Sequence, residues 1–224
     1  MMTQNILIHL DIEATCLNPF EAIAWQVGML YVNHDRLDQI LGEDSWLQGV
    51  PINKWDTDTF NWTMLSNSSP EVQNGQHLFP EGGEWILAEH VKALHSWLMA
   101  CYQNVLTTLG VGNKNIYVMC AHPEYDIIIL KRMFNMVGLS LPFFYRNILD
   151  NNSYILGLCR GNIAVASAIY ATYKKVVGGV AHSAVEDCKR QHTILELASL
   201  FGDVATPAQA VEESERWLRH YLGV

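Results

Sequence analysis

The chain opens on an apolar run, Ile6-Leu7-Ile8, that passes into alternating positions over His9-Leu10-Asp11-Ile12-Glu13-Ala14-Thr15. This pattern predicts a strand buried at its start and chemically loaded at its end. Successive strand side chains point to opposite faces, so Asp11 and Glu13 project from the same face. After a turn at Asn18-Pro19, Ala24 to Val32 reads as a second apolar strand. The polar break Asn33-His34-Asp35 predicts a hairpin into Leu37 to Ile40 and beyond. Three strands with no helix between them predict an antiparallel meander. No G-x-G-x-x-G follows the first strand, which argues against a dinucleotide site.

From Trp55 the period changes. Asp56-Thr57-Asp58-Thr59 predicts the cap of a short helix carrying Phe60, Trp62, Met64 and Leu65. Ser69-Pro70-Glu71 predicts another helix start, and Gln73 to Gly83 a loop. Glu84 to Val105 repeats its apolar positions at helical spacing. Asn115 to Ala121 predicts a buried strand, followed from Pro123 by a helix closed by Gly138, with Asp126 in its first turn. A short strand is expected near Tyr145 to Leu149, ending at Asp150, and a helix over Ile155 to Lys175. Gly178-Gly179 predicts a flexible break before His182. Ser183 and Glu186 have the spacing of a capping box, which places His182 just outside a helix and Asp187 in its first turn. On one regular helix His182 and Asp187 would splay about 140° apart, whereas a loop histidine ahead of a helical aspartate can converge with it. That helix runs on to Gly202, and Pro207 to Leu222 predicts a C-terminal helix.

Composition narrows the class. A hydrophobic fraction of 50% in 224 residues argues for a folded α/β chain with a substantial core. No internal repeat or linker composition interrupts it, so one domain over 1–224 is expected, with the motifs inside 6–201 and a terminal helix over 206–222. A net charge of -9 is unsuited to gripping nucleic acid by a broad basic surface. It suits an acidic site in which metal ions screen substrate phosphates. The five cysteines are scattered without a C-x-x-C pair, the pattern of reduced thiols rather than a disulfide frame or structural zinc site. With no basic leader and no transmembrane stretch, a cytoplasmic location and no membrane partner are expected.

The candidate chemistry lies in Asp11, Glu13, Asp126 and Asp187. Each taken alone has an ordinary reading: a strand-end pair that reaches water, or first-turn acids complementing a helix dipole. Each also falls where a predicted strand ends or a helix begins, the place where open α/β sheets hold their sites. Four converging carboxylates repel one another unless cations compensate, and two divalent ions would make a two-metal site for in-line phosphoryl displacement. His182 supplies a group whose ordinary pKa suits taking a proton from water.

Asp11-x-Glu13, Tyr125-Asp126 and His182-x-x-x-x-Asp187 together resemble the three motifs of the DEDDh exonucleases, over about residues 6–201. Within that superfamily the chain is most similar to the subfamily of T-even phage exonuclease A and mycobacterial-type exoribonucleases, through the early meander, Asp58-Thr59-x-x-Trp62 and His182-Ser183-Ala184. The resemblance implies an RNase H-like fold, a mixed central sheet with an early antiparallel three-strand meander flanked by helices. It implies a 3′-5′ exonuclease that hydrolyses single-stranded or short RNA or DNA to nucleoside 5′-monophosphates, using two divalent cations, Mg²⁺ or Mn²⁺. Asp11 would bridge both ions, Glu13 and Asp187 would complete one, Asp126 would serve the other, and His182 would be the general base. Ala14, Thr15, Trp62 and Tyr125 would lie against the terminal nucleotide. Relatives also suggest a homodimer. The chain departs from the motifs at Ala121-His122-Pro123-Glu124, which has no Asn, and at Trp62, which lacks an aromatic partner in Asn61 or Thr63. The alternative reading is a catalytically idle nucleic-acid-binding or assembly module on the same fold.

Overall fold

The computed structural model describes residues 4–178 and 182–223 and places five strands in one mixed sheet. β1 (Ile6–Ala14), β2 (Ala24–Asn33) and β3 (Arg36–Leu47) form the antiparallel meander. β4 (Ile116–Cys120) and β5 (Ile148–Asp150) add in parallel on the other side of β1, giving the order β3-β2-β1-β4-β5. β1 is thus central. His9 pairs with Met119, so the ends of β1 and β4 lie side by side.

The helices are α1 (Thr57–Ser66), α2 (Pro70–Gln73), α3 (Leu87–Leu109), α4 (Pro123–Met136), α5 (Asn151–Leu158), α6 (Ile163–Val177), α7 (Ala184–Phe201) and α8 (Pro207–Leu222). The alternation along β1 divides the core in two. Ile6, Ile8, Leu10 and Ile12 join a cluster with Val91, Leu94 and Leu98 of α3 and Leu130, Met133 and Phe134 of α4. Leu7 faces the other way, into a cluster with Ile155 of α5, Ile169 of α6, Leu195 and Ala198 of α7 and Leu218 of α8. Asp11 and Glu13 share the parity of Leu7, so they emerge on the side covered by α7. Among the described residues no single helix is long and apolar enough to cross a membrane.

Four elements differ from the sequence expectation. α3 begins at Leu87 rather than Glu84, because Ile86 is extended, and it runs on to Leu109, where Gly110 closes it at φ 61°. Tyr145–Asn147 is a single helical turn, and the strand is confined to Ile148–Asp150. The helix expected over Ile155 to Lys175 is two helices. Arg160 and Gly161, at φ 52° and 76°, turn the chain, and the Asn162 side chain accepts the Ala164 and Val165 N–H groups to restart it. Ser183 is the N-cap residue of α7, but its side chain caps nothing. The Ala184 N–H donates instead to Gln26 Oε1 on β2, and Glu186 pairs with Lys189, so the capping box is not formed. Gly178 ends α6 at φ 88°; the rest of the expected break, from Gly179, lies outside the described residues.

Candidate active site

Asp11, Glu13, Asp126, His182 and Asp187 line one cleft of about 550 Å³. The topology brings them there from three distant segments. Asp11 and Glu13 stand at the end of β1, Asp126 in the first turn of α4 just after β4, and Asp187 in the first turn of α7. Oxygen atoms of Glu13 and Asp187 and a ring nitrogen of His182 lie within 4.8 Å of one another. His182 Nδ1 is 4.0 Å from Asp187 Oδ2. Asp11 and Asp126 line the cleft beyond this close group.

Burial raises the pKa of all four acids, and repulsion from neighbouring acids of the cluster adds to it at Asp11, Glu13 and Asp126. Asp126 and Asp187 are each only 4% exposed. Burial, then the Asp187 charge, pushes Asp11 up to about 7, against the opposing pull of Arg190 and Gln191. Burial and then the charges of Asp11 and Asp187 hold Glu13 well above the usual carboxylate range. Asp126 is raised by burial and then by Asp11. Asp187 is raised by burial, opposed by Arg190 and His182. Arg190 Nη1 stands 3.0 Å from Asp187 Oδ1, a close ion pair at the edge of the cluster.

Such a site is strained by its own charge, with a consequence for stability. A carboxyl whose pKa is raised by folding keeps its proton in the folded chain where the unfolded chain has lost it. Stability therefore falls as pH rises from the ordinary value of 3.8 through about 7. Buried His9 and His192, with lowered pKa values, push the other way at acid pH, so a variant isolates the carboxylate. In EDTA at pH 8, Asp11→Asn is expected to melt a few degrees above the wild type, the shift that about 1 kcal/mol gives in a chain of this size. The gap should close towards pH 5. Millimolar Mn²⁺ should raise the wild-type melting temperature and leave the variant nearly unmoved. Equal melting curves in EDTA and Mn²⁺ at pH 8 would contradict the site's need for cations.

Residues outside the motifs set this geometry. Gln191, one turn beyond Asp187, donates its Nε2 to Asp11 Oδ1 at 2.9 Å and ties α7 to β1. Gly28 on β2 pairs with Asp11 and lies beneath the first turn of α7. A Cβ there would run into the backbone of Ala184 and Val185. Gly28→Ala is therefore expected to cost about 1–3 kcal/mol, the scale of overpacking, in urea denaturation. It should also lower activity, because the displaced turn carries Asp187. A glycine inside an apolar strand is a readable sign of close backbone approach. Gln191 is readable as the i+4 neighbour of Asp187. Asn67, whose Nδ2 donates to the His182 carbonyl at 2.6 Å, gave no sign in the sequence.

The other expected contacts divide. Ala14, Trp62 and Tyr125 line the cleft. The Tyr125 hydroxyl donates to the Cys16 carbonyl at 2.5 Å, which leaves its ring as the surface on offer. Trp62 is 44% exposed, and its ring meets the His182 ring edge-on at 4.7 Å. Thr15 is not brought to the cleft. Its Oγ1 accepts the Ile23 N–H at 3.0 Å, closing the loop after β1, and at 1% exposure the side chain is buried away from the cleft. Among the basic side chains, Arg132 donates to the Pro19 and Ala22 carbonyls, Lys175 pairs with Glu215, and Lys189 with Glu43 and Glu186. Lys131 and Lys174 form no ion pair among the described residues.

The donor set fits a hard divalent cation. It offers carboxylate oxygens in a partly buried, self-repelling cluster.

By sequence, the chain matches no family model and no curated protein. By structure it has the RNase H-like α/β fold, which it shares with solved nucleases, one of them described as a DEDDh family member. One is cell-death related nuclease 4, at TM-score 0.57 and 16% identity, over 86% of this chain and 62% of that one. The nuclease domain of 3′hExo, a DEDDh family member bound to rAMP, matches at TM-score 0.56 and 14% identity, over 85% and 90%. A zinc-bound complex of E. coli ExoI with single-stranded DNA matches at TM-score 0.53 and 12% identity, over 98% of this chain. The chain spans 62% of the length of the first of these proteins and 43% of ExoI.

Proposed function

We propose that this protein is a metal-dependent 3′-5′ exonuclease that releases nucleoside 5′-monophosphates from single-stranded or short nucleic acid. One observation carries the reading: three sequence-distant segments deliver Asp11, Glu13, Asp126, His182 and Asp187 to a single cleft. Neighbours described with rAMP or single-stranded DNA support a nucleic-acid substrate. Trp62 against His182 supports the subfamily resemblance, whose distinctive motifs these two residues represent.

Asp11, Glu13, Asp126 and Asp187 would hold two divalent cations, Mg²⁺ or Mn²⁺. When bound, these ions neutralise charge on the phosphate and lower the pKa of water. The rest of the work falls to side chains. His182 Nδ1 faces Asp187, which leaves Nε2 to take the proton from the attacking water. The Asp187 carboxylate then stabilises the imidazolium. Water oxygen bonds to the terminal phosphorus, the bond to the 3′-oxygen of the preceding nucleotide breaks, that oxygen takes a proton from solvent to become the new 3′-hydroxyl, and a 5′-monophosphate departs. The apolar wall of Ala14, Leu17 and Trp62 is suited to one nucleotide face.

The test uses 5′-labelled single-stranded RNA and DNA of matched sequence, with Mn²⁺, Mg²⁺ or EDTA. A metal-dependent ladder shortening from the 3′ end supports the proposal and ranks the two substrates. Binding without cleavage in either metal would replace it with the idle binding module.

A further inference from the structure

α1 is tied to both halves of the site. At its start, the Asp56 N–H donates to the Thr15 carbonyl at 3.0 Å, two residues beyond Glu13. At its end, Asn67, 2% exposed, reaches across 115 positions of chain to the His182 carbonyl. The amide orientation of Asn67 is fixed independently. Its Oδ1 accepts the Ser69 N–H at 2.9 Å, which turns Nδ2 towards His182. Between the two ends, Thr59, Trp62 and Thr63 line the cleft at positions i, i+3 and i+4, one face of the helix.

His182 precedes its own helix, and the capping box that would have fixed that turn is absent. Its backbone is held by Asn67 and its ring by Trp62, both from the α1 segment. We infer that Asn67 is a positioning residue for His182, and that through it α1 couples occupation of the cleft to placement of the general base. The inference rests on the exonuclease reading above. A nucleotide resting on Trp62 presses on the helix whose far end holds the His182 carbonyl. Asn67 touches neither substrate nor reacting atoms; it acts through His182.

Asn67→Asp is the direct test. It keeps an oxygen for the Ser69 N–H and replaces the Nδ2 donor with an acceptor facing the His182 carbonyl. With wild-type cleavage established, the expected result is a kcat lower by about 10- to 10²-fold, the scale of a small misplacement of a catalytic group. KM should stay within about twofold, since the substrate wall is intact. In a His182→Ala background the same substitution should cost nothing further, because the group it positions is gone. An equal loss in both backgrounds, or a raised KM with unchanged kcat, would overturn the inference. If Asn67→Asp does not fold, Asn67→Ser, which also keeps an oxygen and lacks the amide donor, makes the same comparison. An inactive wild type would instead bring down the exonuclease reading, a different result from an active enzyme indifferent to Asn67.

Discussion

Asp11→Asn should reduce cleavage to background while leaving the fold intact. Asp11 stands on the central strand, facing α7, where its charge raises the pKa of Glu13 and Asp126 and its own is raised by Asp187. It interacts with each of the other three acids. Asparagine matches it in volume and keeps an oxygen to accept the Gln191 amide, so the tie between β1 and α7 survives. What disappears is the negative charge around which the cations would gather. The loss should exceed the roughly 10²–10³-fold cost of deleting one transition-state donor. Steady-state assay in excess Mn²⁺, with circular dichroism to confirm the fold, measures it. Retained activity would remove Asp11 from the metal site.

His182→Ala is expected to cost about 10²–10⁴ in kcat, the usual contribution of a positioned general base. The ring stands at the mouth of the cleft, with Nδ1 towards Asp187 and one face bounded by Trp62. Removing it leaves the four carboxylates in place, so metal-induced stabilisation should persist while turnover falls. That separation distinguishes a base from a ligand, a distinction that matters because His182 lies within 4.8 Å of Glu13 and Asp187 donor atoms. If Mn²⁺ no longer shifts the melting temperature of His182→Ala, His182 is a ligand and the proton goes elsewhere.

The sequence carried the centre of this site for a physical reason. Strand alternation is local, so the shared face of Asp11 and Glu13 is readable from five residues. Helix starts are also local, so Asp126 and Asp187 are readable as first-turn acids. What escaped is tertiary. The Ser183 and Glu186 spacing suggests a capping box, yet Gln26 on β2 satisfies the Ala184 N–H and Lys189 takes Glu186. Thr15 follows the motif and looks available, but the loop after β1 folds back and uses its hydroxyl at Ile23. The break between α5 and α6 falls at Arg160-Gly161-Asn162, a polar gap too short to separate two helices on periodicity alone, and it is the left-handed turn and the Asn162 cap that make it a break. Asn67 is the clearest case. An asparagine ending a short helix gives no hint of a partner 115 positions away.

On the proposed reading, these acids and this histidine cut one nucleotide at a time from a 3′ end. A strand labelled on its terminal 3′ nucleotide, incubated with wild-type protein and Mn²⁺ beside Asp11→Asn, tests it most directly. The expected result is release of the label first and solely as a nucleoside 5′-monophosphate by the wild type, and none by the variant. Labelled fragments longer than one nucleotide, or equal release by both proteins, would contradict it.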